Sequence, residues 1–342
     1  MDTNRIGFGL IGLGQIHHAH RRGYEQAADR ARIAAVCDVD GAIVKQEGIA
    51  LGCAAYTDYH ALLADPGVDA VDITLPHNLH YEVARAALER GKHVLVEKPL
   101  AASSQQCLEL IELARKNGRA FTVAENTRFV AAYQEAEKLL KAGVLGTPRL
   151  IRTLISGSEV ERLQNTSLWK GRRDGTIGGA IFDAGPHSFY LLKWLFGDIE
   201  GVYAVQSRLM HESQVEDHAV VGGRLVNGAL FTTEYTFTAE IPWGERCEIY
   251  GSEGSLIIDQ LCNPPATHYH GTEDYTGAPL PAVPYDPRGW KVASIATGVT
   301  DFIDAVWGQR PPTIDPRDGY YTIKVAEKAY ESVAASGKLV AL

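Results

Sequence analysis

The chain has 342 residues, of which 45% are hydrophobic and 22% charged, and its 42 acidic and 33 basic side chains give a net charge of −9. This composition is that of a soluble globular protein long enough for two domains, and the negative charge argues against nucleic acid as a partner. No apolar run approaches the length of a membrane span, and the first predicted strand follows Met1 too closely to leave room for a signal peptide.

The first 125 residues alternate predicted strands with predicted helices. Apolar runs predict five strands, at residues 6–11, 33–37, 70–75, 93–96 and 120–124. Between them, Asn78 is the expected N-cap of a helix that runs to Arg90, and Ser103 that of a helix that runs to Lys116. Strands that alternate with helices and are apolar throughout form a parallel sheet covered on both faces. The predicted fold class is therefore α/β, with a doubly wound parallel sheet in this half.

A glycine-containing turn follows the first strand and opens a helix, which is the context that a dinucleotide fingerprint requires. It reads Gly12-Leu13-Gly14-Gln15-Ile16-His17. The first glycine makes the tight turn and the second lets the backbone approach the pyrophosphate, to which the following residues offer N–H groups at the helix N-terminus. The third fingerprint position should be small and is His17. This departure either loosens the packing of helix on strand or indicates a different course of the turn.

Asp38 ends the second predicted strand, 24 positions after Gly14. An acidic side chain at this place accepts hydrogen bonds from both ribose hydroxyls, and it repels the 2′-phosphate of NADP. The adjacent Val39 and Asp40 supply no cation to offset that repulsion. The sequence therefore favours NAD over NADP. The alternative interpretation is that Asp38 is only a helix cap or a turn residue.

The fourth strand ends abruptly in Glu97-Lys98-Pro99. Proline stops the strand because it has no N–H to donate and its ring fixes φ. Lys98 is thus delivered to the carboxyl edge of the sheet, where open α/β sheets bind ligands. It is a candidate reactive group, and the alternative is a strand-terminal lysine in solvent.

Beyond a helix at residues 133–141 and a connector at 143–148, successive strands are predicted without intervening helices. They lie at residues 149–155, 201–210, 219–225, 229–237, 245–250 and 255–258. Such a series predicts a largely antiparallel sheet. Further helices are expected at residues 186–196, 292–307 and 319–336, and residues 259–291 are expected to form a long loop.

Asp183 and His187 flank the start of the helix at Pro186. His187 lies in the first turn, where the helix dipole disfavours imidazolium, so a neutral ring can accept a proton. Asp183 can orient that ring or bind a substrate hydroxyl. The alternative interpretation makes Asp183 a local cap and His187 a satisfied core residue.

The remaining chemistry-bearing side chains indicate neither disulfides nor a metal. The five cysteines are odd in number, far apart and never in a CxxC pair, which is typical of reduced thiols in the cytoplasm. His268 and His270 lie near Glu273 and Asp274 without an established ligand spacing, so no metal site is predicted.

In combination these segments make the chain similar to the Gfo/Idh/MocA family (glucose–fructose oxidoreductase, inositol dehydrogenase, rhizopine catabolism). The likeness covers nearly the whole length. It rests on Gly12-x-Gly14 with His20 downstream, Cys37-Asp38, the run from Gly91 to Leu100, Arg128-Phe129, Gly178-Gly179, Asp183-x-x-x-His187, Asn227-Gly228 and Gly251-Ser252-Glu253-Gly254.

The resemblance implies a Rossmann domain for NAD, residues 1–126, and an α/β domain, residues 127–342, that binds substrate and builds homodimers or homotetramers through its open sheet. It also implies that Lys98, Asp183 and His187 are catalytic and meet at the nicotinamide. The lysine would polarise the reacting oxygen, the histidine would act as acid or base, and the aspartate would orient substrate or histidine. The implied function is hydride transfer between nicotinamide C4 and a secondary hydroxyl of a sugar, glycoside or cyclitol.

The resemblance also implies further cofactor contacts, at Glu97, at His80 and after the third predicted strand. There the family's common Thr-Pro-Asn is replaced by Leu75-Pro76-His77, so contacts beside the cofactor differ. His80 matches a usual histidine of the family.

Substrate contacts are expected to differ from those of common members. Many sugar and inositol members carry an aspartate three positions after the histidine, where this chain has Tyr190, so the pocket should be less polar. Arg128, Trp169 and Lys170 are further candidates to line it.

Two other functions fit the same resemblance. A relative that retains NAD and oxidises its substrate transiently would cleave a glycosidic bond without net NADH formation. A nucleotide-sensing regulator would bind the cofactor without catalysis, and the intact set Lys98, Asp183 and His187 counts against it.

Overall fold

The computed structural model describes residues 5–342, which divide into two compact units. The first unit runs to Asn126 and includes Val292–Tyr321; the second consists of Thr127–Lys291 and Thr322–Leu342. The division into an NAD-binding domain, residues 1–126, and a substrate domain, residues 127–342, stays a prediction. Within the described residues no helix combines the length and apolarity that a membrane crossing requires.

The strands and helices alternate in the first third of the chain and separate afterwards. The strands are β1 (Ile6–Ile11), β2 (Ala31–Cys37), β3 (Ala54–Tyr56), β4 (Ala70–Ile73), β5 (His93–Glu97), β6 (Phe121–Ala124), β7 (Pro148–Ser156), β8 (Ile199–Ser207), β9 (His218–Leu225), β10 (Leu230–Thr236), β11 (Gly244–Gly251), β12 (Gly254–Asp259), β13 (Ala266–His270), β14 (Ala278–Pro279) and β15 (Val340–Ala341). The helices are α1 (His17–Gln26), α2 (Gly41–Leu51), α3 (Tyr59–Ala64), α4 (His80–Glu89), α5 (Ser104–Asn117), α6 (Ala131–Lys141), α7 (Val160–Gln164), α8 (Arg173–Thr176), α9 (Ala180–Asp183), α10 (Gly185–Phe196), α11 (Trp290–Trp307) and α12 (Pro316–Ala334).

The first unit contains a six-stranded sheet of order β3-β2-β1-β4-β5-β6 in which all neighbours are parallel. The predicted doubly wound sheet is confirmed, with the three-residue β3 as an additional edge strand. Strand order reverses direction between β1 and β4, and the carboxyl ends of these two strands flank the crevice in which such sheets bind ligands.

The core of the first unit includes the apolar face of α11. The Phe8 ring on β1 lies 5.1 Å from the Tyr24 ring and 6.2 Å from the Phe302 ring, between centroids. Val299 and Ile303 belong to the same buried cluster. Val292–Tyr321 groups with the first unit because this face buries its apolar side chains against the sheet.

The second unit contains a nine-stranded sheet of order β14-β13-β12-β11-β7-β10-β9-β8-β15. Its neighbours are antiparallel except for β7 and β10, which are parallel. The predicted mostly antiparallel sheet is confirmed. Along β10 the side chains of Phe231, Thr233 and Tyr235 are buried, whereas Leu230 on the opposite face is exposed, so one face of the sheet is left open.

Two segments differ from their predictions. Residues 259–291 are not only loop, because β13 pairs with β12 and β14 pairs with β13, and such edge pairing is set by the neighbouring strand rather than by local periodicity. Asn78 does not cap α4, which begins at His80 after a short 3-10 helix, His77–Leu79. Ser103 does cap α5, since its Oγ accepts a hydrogen bond from the Gln106 N–H at 3.3 Å.

Candidate functional site

The turn after β1 has the backbone geometry that a dinucleotide requires. Gly12 has a φ of 94°, and a Cβ at this position would lie 2.6 Å from the Thr74 carbonyl oxygen, so only glycine fits. A Cβ on Gly14 would meet no atom within 4 Å, and the residue is exposed. Open space above Gly14 is what a pyrophosphate needs to approach the backbone before α1. These residues therefore fit an NAD molecule.

Gln15 and Ile16 complete the turn and are followed by His17, the unusual fingerprint residue. The His17 ring is buried, and its Nδ1–H donates to the Gly14 carbonyl oxygen at 2.5 Å. Its Nε2 lies 3.9 Å from Glu47 Oε2 on α2. Burial lowers the pKa of His17, although the bond to Gly14 opposes the shift, so the ring is neutral near pH 7. His17 thus connects the glycine turn to α2.

Asp38 lies directly beside the glycine turn. Its Oδ2 accepts a hydrogen bond from the Leu13 N–H at 2.8 Å, and its Oδ1 accepts one from the Asp40 N–H at 3.0 Å. The cap of α2 is Asp40, which binds the N–H groups of Ala42 and Ile43. Asp38 is therefore not the helix cap, but its bond to the Asp40 N–H makes it a turn residue. Each of its oxygens has a second lone pair for a ribose hydroxyl.

The residues after β4 form the opposite wall of the same crevice. His77 is buried, Leu75 and Pro76 are half-buried, and His80 is fully buried at the start of α4. The His80 ring nitrogens lie 2.7 Å from the Pro99 carbonyl oxygen and 2.8 Å from that of Leu75. Burial lowers the pKa of His80, although both carbonyls favour the protonated ring. His80 therefore joins the loop after β4 to the loop after β5.

Lys98 follows β5 at the same carboxyl edge and is half-buried. Its backbone N–H donates to Oε2 of Glu97 at 3.0 Å. Glu97 Oε1 lies 2.9 Å from Nε2 of His20 on α1, so Glu97 is hydrogen-bonded within the unit through both oxygens. The first unit thus collects Gly12, Gly14, Asp38 and Lys98 at one edge of its sheet.

Asp183 and His187 belong to the second unit. Asp183 ends the short helix α9 and is buried, and His187 is buried in the first turn of α10. The N-cap position of α10 is Ala184, without a side-chain hydrogen bond, so Asp183 is not a cap. Instead, Asp183 Oδ2 lies 3.0 Å from Nζ of Lys170, which also lies 3.4 Å from Glu159 Oε2. Lys170 thus joins the buried Asp183 to the half-buried Glu159 and holds the Asp183 carboxylate in place.

The predicted substrate residues are held by other contacts of the second unit. The Arg128 guanidinium lies 4.1 Å from the centre of the Trp194 ring and pairs with Glu137 Oε1 at 3.2 Å. Tyr190 is buried, with its ring 6.1 Å from that of Trp194. Trp169 is half-buried in the loop before α8. Arg128 and Trp169 are thus half-buried, whereas Tyr190 is buried.

Asp72 is a functional candidate that the sequence analysis missed. It lies in the middle of the apolar strand β4 and is buried, and its carboxylate contacts His20. An acidic residue inside an apolar strand requires a buried partner, which is the signal that could have found it. Across residues 5–342, no cluster of three or more His, Cys, Asp or Glu side chains is arranged to hold a metal ion.

Two protein-family models match the chain. Residues 6–125 match the Gfo/Idh/MocA model described as an oxidoreductase family with an NAD-binding Rossmann fold. Residues 133–257 match the model of the Gfo/Idh/MocA C-terminal domain.

Individual relatives extend these matches over most of the chain. An uncharacterised oxidoreductase of Synechocystis sp. is 30% identical over 294 residues, which are 78% of this chain and 78% of the relative. Inositol 2-dehydrogenase/D-chiro-inositol 3-dehydrogenase of Lactiplantibacillus plantarum is 26% identical over 96% of this chain and 91% of its own. The structure of levoglucosan dehydrogenase with NADH and levoglucosan has a TM-score of 0.88 over 98% of this chain and 99% of that one; at 22% identity this is a similarity of fold.

Proposed function

The chain belongs to the Gfo/Idh/MocA family of oxidoreductases, and from this membership we propose that it is an NAD-dependent dehydrogenase acting on a secondary CH–OH group of a sugar, glycoside or cyclitol. One observation carries the proposal. The glycine turn, the Asp38 carboxylate and Lys98 lie at the carboxyl edge of one parallel sheet, so a dinucleotide seated there has a lysine at the same edge. The inositol dehydrogenase among the relatives supports the substrate class.

The roles of the side chains follow from the chemistry of alcohol oxidation. Bound NAD supplies nicotinamide C4 as the acceptor of the hydride. Oxidation also releases a proton, so the protein must provide a base and a group that polarises the oxygen. We assign the base to His187 and the polarising cation to Lys98. Asp183, held by Lys170, orients the substrate or the imidazole.

The test is a screen for NADH formation by the full chain with sugars, glycosides and inositols, each offered with NAD and with NADP. The expected result is turnover of at least one of these compounds with NAD. Cleavage of a glycoside without net NADH would replace the proposal by the NAD-retaining mechanism. A protein that binds no NADH would contradict the proposal at its base.

Asp38 is expected to set the preference for NAD. Its carboxylate can accept hydrogen bonds from two ribose hydroxyls, and each hydrogen bond to a charged group contributes about 1.5–3 kcal/mol to the free energy of binding. Asp38→Ala should therefore raise KM for NAD about tenfold or more. Asp38→Asn keeps a side-chain oxygen that can accept the hydrogen bond from the Leu13 N–H, but it removes the charge that repels a 2′-phosphate. The ratio of kcat/KM with NAD to kcat/KM with NADP should therefore be smaller in this variant than in the wild type. A wild-type preference for NADP would refute this role.

The open face of the nine-stranded sheet is expected to join copies of the chain. Leu150 pairs in register with Leu230 on one side and with Tyr250 on the other, and their exposed fractions are 40%, 54% and 37%. This row of apolar side chains crosses three central strands, which is typical of a protein–protein contact. The proposed assembly is a homodimer or homotetramer.

Leu230→Arg is expected to convert the assembly to monomers, because it places a charge in the buried centre of the contact. Light scattering after gel filtration measures the mass. Val226→Arg is the matched control, since Val226 is 68% exposed and follows β9 in the turn before β10. A monomeric wild type, or equal loss of assembly in both variants, would contradict the assignment.

The cysteines support a cytosolic location for the protein. No disulfide joins the five cysteines, all of which lie within residues 5–342, and burial raises the pKa of Cys37 to about 12, which keeps that thiol protonated and unreactive. Reduced thiols suit a reducing compartment.

A further inference from the structure

A buried charged network lies beneath the strand end that carries Lys98. His20 on α1 lies between two carboxylates, with Nδ1 2.9 Å from Asp72 Oδ2 on β4 and Nε2 2.9 Å from Glu97 Oε1 on β5. The Tyr24 hydroxyl donates to Asp72 Oδ2 at 3.1 Å. His20 and Asp72 are each 1% exposed and Glu97 is 8% exposed. The network therefore connects the helix after the glycine turn to two neighbouring strands.

Both ring nitrogens of His20 face carboxylate oxygens, and a protonated ring can donate a hydrogen bond to each of them. Burial alone would lower the pKa of His20, but the charges and hydrogen bonds of Asp72 and Glu97 outweigh it and raise the pKa to about 10. His20 is thus the cation that makes two adjacent buried carboxylates tolerable.

The network reaches the backbone of Lys98. Glu97 Oε2 accepts the Lys98 N–H at 3.0 Å, at the point where β5 stops, while its Oε1 is held by His20. A glutamate side chain otherwise has several rotamers, and His20 selects the one that fixes this amide. The position of the Lys98 amide sets the space that its ammonium can reach. A displacement of about 1 Å in a reacting group can cost about a hundredfold in rate.

We propose that His20, acting through Glu97, is a positioning residue for Lys98. The inference rests on the proposed function in one respect, the role of Lys98 in turnover. It assigns to the buried network a catalytic purpose in addition to its contribution to stability.

Two substitutions separate positioning from stability. The amide nitrogen of glutamine can take the place of His Nε2, so His20→Gln keeps a donor for Glu97 and loses the one for Asp72. The amide nitrogen of asparagine can take the place of Nδ1. His20→Asn therefore keeps the hydrogen bond to Asp72 and loses the one to Glu97. Both variants lose the charge and one buried contact, so we expect similar falls in melting temperature.

The variants should differ in their effect on Lys98. We expect kcat of His20→Asn to be at least about tenfold below that of His20→Gln, with similar KM for NAD. Acetic anhydride labels lysine side chains, and mass spectrometry measures the extent of acetylation of Lys98 relative to that of Lys92, at the other end of the same strand. Compared with the wild type, this ratio should change in His20→Asn and much less in His20→Gln. This second measurement needs no substrate. Equal kcat and equal labelling in the two variants would overturn the inference.

One measurement on the unaltered chain covers the case in which neither variant folds. Nuclear magnetic resonance of the protein with ¹⁵N-labelled histidine should show one histidine that keeps both ring N–H protons up to about pH 9. Absence of such a histidine would overturn the inference. Full turnover by Lys98→Met would instead refute the proposed function, whatever the His20 variants do.

Discussion

Replacing Lys98 by methionine is expected to lower kcat by about a hundredfold or more. Methionine has a similar length but no ammonium, so the variant loses the cation that polarises the reacting oxygen while the strand end keeps its shape. The Lys98 backbone N–H that donates to Glu97 is unchanged by the substitution. Initial rates of NADH formation at saturating substrate measure the loss, and NADH binding, followed by its fluorescence, should persist.

Lys92→Met is the matched control for this prediction. Lys92 precedes β5, at the opposite end of the strand from Lys98, and its Nζ donates to the Val68 carbonyl oxygen at 2.5 Å. It carries the same charge in the same unit but lies away from the carboxyl edge. Its removal should leave kcat within about threefold of wild type. If Lys98→Met and Lys92→Met were equally active, Lys98 would have no part in the chemistry.

Replacing His187 by glutamine is expected to lower kcat by a comparable factor, about a hundredfold or more. Glutamine keeps a polar side chain of similar reach in the first turn of α10, but it cannot accept a proton near neutral pH. The loss should appear in kcat with a smaller change in KM, because the base acts during the reaction. Steady-state kinetics with varied substrate separate the two constants.

The corresponding control is His211→Gln, since His211 is exposed in the same unit and precedes β9. Its replacement should leave kcat unchanged. Equal kcat in the wild type and in His187→Gln would assign the base to another group.

Most of the first unit could be predicted from the sequence because its signals are local. Each long strand is an apolar run bounded by turn residues, and Gly12 and Gly14 determine the turn after β1 whatever surrounds it. The strand β3 was missed because its residues, Ala54–Tyr56, form a strand only by pairing with β2. Short edge strands of this kind carry too few residues for a periodic pattern.

The order of the nine-stranded sheet could not be predicted in the same way. Leu150 on β7 pairs with Leu230 on β10, 80 positions later, and that pair is parallel within an otherwise antiparallel sheet. Alternation of apolar and polar residues predicts that a strand has one buried face but not which strand lies beside it. For the same reason, the sequence predicts that Asp183 lies near the start of a helix but does not identify Lys170 as its partner.

The position of α11 has a consequence for how the chain is made. Phe302 and its neighbours on this helix cover Phe8 on the first strand, yet residues 127–291 are synthesised between them. At ordinary rates of translation this delay lasts roughly ten to thirty seconds. The nascent N-terminal sheet must wait on the ribosome with an apolar face uncovered, which makes it a natural client for a chaperone. A gene truncated after residue 126 should therefore yield aggregates rather than a folded cofactor-binding fragment.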